Sequence, residues 1–63
     1  MEYNFDIFEK FPDGKIQWRG CVASIADAQL KLSRLAKWSK SDFYATELAS
    51  GAVVASASAG RKS

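Results

Sequence analysis

A chain of 63 residues with a net charge of +2, 48% hydrophobic side chains, one cysteine and no histidine holds one small domain. At this size only about 60% of the unfolded surface is buried on folding, so the core is marginal and association between chains is the expected reinforcement. Composition excludes an internal disulfide and a zinc site of thiolates and imidazoles, and the acid-rich opening MEYNFDIFEK resembles neither a signal peptide nor a membrane span, so a cytoplasmic protein is expected.

Tyr3, Phe5 and Ile7 alternate with Asn4 and Asp6, the period-2 pattern of a half-buried strand, here reaching about Lys10. Phe11-Pro12-Asp13-Gly14 is turn chemistry, because proline presets φ and glycine accepts the left-handed conformation. Ile16, Trp18 and Val22 then alternate with Lys15, Gln17, Arg19 and Cys21 in a second strand, in which Gly20 weakens the pattern and is a candidate bulge. Parity ties the turn to the core. A three-residue loop over 12–14 puts Phe8 opposite Trp18, whereas a two- or four-residue loop brings Phe5 and Ile7 onto the face of Trp18 and Val22. The second register assembles one apolar face and leaves Phe8 on the other, so Trp18 is expected as a core filler.

Ser24 occupies an N-cap position with Asp27 three residues on, at the positive end of the helix dipole. From there Ile25, Ala28, Leu32, Leu35 and Ala36 fall in one stripe at about 100° per residue, which predicts an amphipathic helix to about Trp38. Ala28 and Ala36 let the helix approach a flat partner closely, and a sheet fits that requirement better than a coiled-coil seam. The polar run Ser39, Lys40, Ser41, Asp42 ends the pattern.

Residues 43–48 read as a third strand, Ala49-Ser50-Gly51 as a turn, and residues 52–57 as a fourth strand containing Val53 and Val54. A three-residue loop here would group Phe43, Ala45, Val53 and Ala55 under the helix and Tyr44, Thr46, Leu48 and Val54 opposite. The expected domain is 1–58, with 59–63 a mobile tail of small and polar residues. A right-handed crossover through the helix places strand 1 between strands 2 and 3. The predicted fold is therefore α+β, a ββαββ chain forming a four-stranded antiparallel sheet in the order 2-1-3-4 with one helix on one face.

The segments FDIFEKFPDGKIQWRGCV, SIADAQLKLSRLA and FYATELASGAVVA together resemble a group of short, uncharacterised bacterial proteins with a PDG hairpin, a W-x-G strand and a closing hairpin. The resemblance implies the fold and carries no site. A capped helix after a glycine-containing strand is also similar, in part, to antitoxins of the HicB type, without their DNA-binding domain.

No catalytic, cofactor or metal constellation stands out. Asp6, Glu9 and Asp13 read as solvated carboxylates, and Cys21 has no histidine to activate it. A non-enzymatic protein is expected, and three surfaces are candidates for binding. The fourth strand, Ala52, Val53, Val54, Ala55, Ser56 and Ala57, lacks the charge or proline that usually protects a sheet edge, which predicts a homodimer paired along it. Phe8, Leu30 and Trp38 are large apolar side chains outside the core stripe and form a candidate partner surface, although Trp38 also suits the core rim. Lys31, Arg34, Lys37 and Lys40 form a basic helix face that suits phosphates, and Phe8 with Lys15, Gln17 and Arg19 on the open sheet face loosely resembles single-strand binding sheets. A self-associating or partner-binding module is the first expectation, and a weak nucleic-acid binder the alternative.

Overall fold

A computed structural model describes residues 3–58, so the tail expected over 59–63 lies outside the described residues. The elements are β1 (Phe5–Lys10), β2 (Ile16–Val22), α1 (Ile25–Lys37), β3 (Asp42–Glu47) and β4 (Val53–Ala57). The sheet order is β2-β1-β3-β4 with every neighbouring pair antiparallel, as the crossover argument predicts. No helix among the described residues is long and apolar enough to cross a membrane.

The helix begins where its cap does. Ser24 is extended, with φ −137° and ψ 161°, and its hydroxyl accepts a 3.1 Å hydrogen bond from the Asp27 backbone N–H. Ala28, Leu32 and Ala36 are buried against Ile7, Phe43 and Ala45, with Val22, Leu35, Val54, Ala55 and Ala57 around them. Ile25, placed in the stripe from its spacing, is largely exposed at the first helical position. Alanine on the helix meets alanine on the sheet, which brings two flat surfaces together with little side-chain bulk between them.

Both hairpins differ from their expected parity, for one physical reason. In the first, Phe11 N–H donates to the Lys15 carbonyl and Gly14 N–H to the Phe11 carbonyl, each at 2.8 Å, with Gly14 at φ +93°. This is the three-residue loop, and it sets Phe8 opposite Trp18. One residue later the ladder shifts, so that Ile7 faces Gly20 and Phe5 faces Val22, with Arg19 left over as a bulge. Trp18 is therefore not a core filler, and it lies on the open face 57% exposed. In the second hairpin Glu47 pairs with Ala52 across the four residues 48–51, and Gly51, at φ +74°, donates to the Glu47 carbonyl at 2.7 Å. Thr46 then faces Val53 while Ala45 faces Ala55, so Val54 is the bulged residue. Ala55 joins Phe43 and Ala45 under the helix as expected, but Val54 packs against the core in place of Val53.

Leu32 is 1% exposed, and Leu32→Ala should cost about 2–5 kcal/mol. Leu30→Ala should stay within about 0.5 kcal/mol in the same denaturant melts, because Leu30 is 56% exposed. A second expectation concerns the first bulge. Gly20 has φ +135°, while a Cβ there would meet only Lys31 Cε at an ordinary 3.7 Å. Gly20→Ala should therefore cost about 1–3 kcal/mol through the backbone, and adding Lys31→Ala should recover none of it in equilibrium unfolding.

Candidate functional site

The helix covers one face of the sheet, and the strand alternation determines what remains on the other. Trp18 on β2, Phe8 on β1, Tyr44 on β3 and Ser56 on β4 are consecutive register partners and form one row across all four strands. The Phe8 and Tyr44 rings stack with centroids 5.4 Å apart and planes 25° from parallel. Trp18 is held beside them by its indole N–H, which donates to Asp6 Oδ1 at 3.1 Å. On one side of this row lie Cys21, Asp6, Thr46 and Val53, and on the other Ile16, Lys10 and Asp42. Ile16 and Val53 are exposed, so apolar surface extends beyond the three rings.

The surfaces expected from sequence are distributed over both layers. Phe8 lies on the open face, whereas Leu30 and Trp38 belong to the helical layer, so the three do not form one surface. Trp38 caps the helix, is 82% exposed and has Lys37 Nζ 5.2 Å from its ring centroid. Lys31, Arg34 and Lys37 advance three residues at a time and so spread over about 120° of the helix rather than lying in a row. The Lys31 stem passes over Gly20, Arg34 borders the cleft beside Glu9 and Trp38, and Lys40 stands near the first hairpin turn with Lys10 and Asp42. Lys15 precedes β2, Gln17 faces Glu9 on the helix side, and Arg19 pairs with Glu9, so the basic groups expected around Phe8 are not beside it. The strand of Ala52, Val53, Val54, Ala55, Ser56 and Ala57 is an edge, with the ladder starting at Val53 and the bulge at Val54 in its middle. Cys21 is a free thiol opposite Asp6. Among the described residues no group of three or more histidine, cysteine or acidic side chains is placed to hold a metal ion.

The aromatic row escapes a reading by alternation because one bulge reverses the facing of Trp18 relative to Val22. Gly20, at a positive φ in mid-strand, is the residue that signals it.

A second feature lies under the helix rim. Glu9 is only 7% exposed, beside Phe43 in the register, and its carboxylate Oε1 lies 3.5 Å from Arg19 Nε. Arg34, Leu35, Trp38 and Ser39 complete a shallow cleft of about 240 Å³ around this ion pair. The bulge is what turns Arg19 toward Glu9, so the cleft is explained as the shielding of a buried carboxylate.

Compared with protein-family models, with curated protein sequences and with solved structures, the chain finds no match.

The Glu9–Arg19 pair gives a double-mutant test. Arg19→Ala strands a poorly hydrated carboxylate and should cost about 1–3 kcal/mol, and the same change in a Glu9→Gln background should cost clearly less. Equal costs in chemical denaturation would show that Arg19 acts through packing alone.

Proposed function

We propose that this chain is a cytoplasmic protein-interaction module whose binding surface is the open face of the sheet, with Trp18, Phe8 and Tyr44 as its anchors. The observation that carries the reading is the row of three rings on a face that no element among the described residues covers. Aromatic side chains lose little conformational freedom when a partner covers them, and they dominate the energetics of protein interfaces. Trp18 is also prepared for burial, since its one polar hydrogen already has an acceptor in Asp6.

The charge on this face favours protein over nucleic acid. Its rows contain the carboxylates of Asp6 and Asp42 and the ammonium of Lys10, so the rings lie in a field that does not attract phosphates. The basic set Lys31, Arg34 and Lys37 is on the other layer. A strand of nucleic acid stacked on the rings would have its backbone beside carboxylates.

Tyr44→p-benzoylphenylalanine, a photocrosslinking substitution, should give discrete protein adducts in the native cell, and adding Trp18→Ser should remove them while far-UV circular dichroism stays unchanged. The same probe at Leu30 should give none. Adducts at Leu30 but not at 44 would move the surface to the helix. Submicromolar, salt-sensitive, Trp18-dependent binding of a single-stranded oligonucleotide would replace this reading with the nucleic-acid one.

A further inference from the structure

The uncovered face has an internal arrangement of charge that identifies an occupant. Its middle row, Trp18–Phe8–Tyr44–Ser56, is flanked on one side by Asp6 and on the other by Lys10, both from β1 and each two residues from Phe8. Rotation by 180° about an axis lying along this row turns the face over onto itself and exchanges its two sides. The operation sets the aromatic row of one copy on the same row of the other. Lys10 of each copy then faces Asp6 of its mate, Ile16 faces Cys21, and Asp42 faces Thr46, all read from the register of one sheet. A two-fold axis running along β1 itself would instead set Lys10 on Lys10 and Asp6 on Asp6. The self-complementary arrangement has unlike charges opposed and apolar rows superposed, and its strands run antiparallel between copies, compatible with aligned sheet packing at about 30°.

Resting on the interaction-module reading, we propose that the partner of this face is a second copy of the chain, the two sheets packing face to face about a two-fold axis along Trp18, Phe8 and Tyr44. The helices of both copies then lie on the outside of a four-layer assembly. The dimer contact is distinct from the edge pairing along β4, where the Val54 bulge interrupts the ladder that a second strand would have to extend. Four strands about 4.8 Å apart and about six residues long give a face roughly 19 by 20 Å, on the order of 380 Å² per copy, smaller than a standard interface and in the weak, transient class. Association in the micromolar range is the corresponding expectation. Asp6 can serve both roles, since Oδ1 accepts from the Trp18 indole and a carboxylate has a second oxygen with which to accept from Lys10 of the mate.

Sedimentation equilibrium on the full chain tests this directly. Wild type at high micromolar concentration should give twice the 6.9 kDa chain mass. Lys10→Asp alone and Asp6→Lys alone each oppose like charges and should weaken the dimer on the order of tenfold or more. The double swap Asp6→Lys/Lys10→Asp should restore association toward the wild-type level. Within one copy the two positions are separated by Phe8 and about 13 Å of strand, so the rescue reports contact between copies. Circular dichroism on each variant confirms the fold, and the Trp18 bond to Asp6 is lost equally in the Asp6 single variant and in the swap. A wild-type monomer, or a dimer that neither charge reversal weakens, overturns the proposal. If the wild type is monomeric while Trp18-dependent adducts to other proteins persist at position 44, the second copy is excluded and the module reading stands. If both fail, both are wrong.

Discussion

In β2 and in β4 one residue more is present than the facing strand can pair, Arg19 in one and Val54 in the other, and the ladder absorbs each surplus as a bulge. Because side chains alternate with a period of two, one extra residue exchanges the faces of everything beyond it. The first bulge leaves Val22 under the helix and turns Trp18 out to solvent, and it also points Arg19 back toward Glu9. The second directs Val54 inward and Val53 outward. Core composition, the shielding of the buried Glu9 carboxylate and the apolar open face therefore share a single geometric origin.

This constraint also explains what was readable in the residues. The helix was legible because its signals are local, with a capping serine and an apolar stripe that recurs within a few residues. Strand order followed from the handedness of one crossover. Facing is different, since it depends on a count carried from the turn to the far end of the strand, and one unpaired residue alters the count. Gly20 marked the site of the first bulge but not its effect on Trp18. In β4 the neighbours Val53 and Val54 are equally apolar, so hydropathy could not say which one points inward.

Of the binding surface, strand alternation places the rings of Phe8 and Tyr44 on the open face, whereas their direct pairing and the position of Trp18 beside them are not legible from it. Partners across a sheet are adjacent in space while far apart in the chain: Phe8 lies between Trp18 and Tyr44 in the register. Of the basic residues assigned to that face, Lys15 precedes β2 and Arg19 turns to its ion pair with Glu9. The placing of Trp18, Phe8 and Tyr44 on the face opposite Lys31, Arg34 and Lys37 is a property of the assembled fold and has no signature at the level of local composition.

The position of β1 in the middle of the sheet has a kinetic consequence. Of the five elements it is synthesised first, yet one of its two neighbours, β3, begins at Asp42, after the helix. The β1–β2 hairpin closes through a short loop on the microsecond scale typical of hairpins, and it does so with the other edge of β1 still unpaired. Closure of that edge waits for a long-range contact and therefore carries the larger loop entropy. Helix α1, packed between the two hairpins in sequence, shortens this search by bringing its ends and the attached strands to a fixed separation. Helix formation in residues 25–37, favoured by the serine cap and the alanines, thereby lowers the entropy that the β1–β3 closure must overcome.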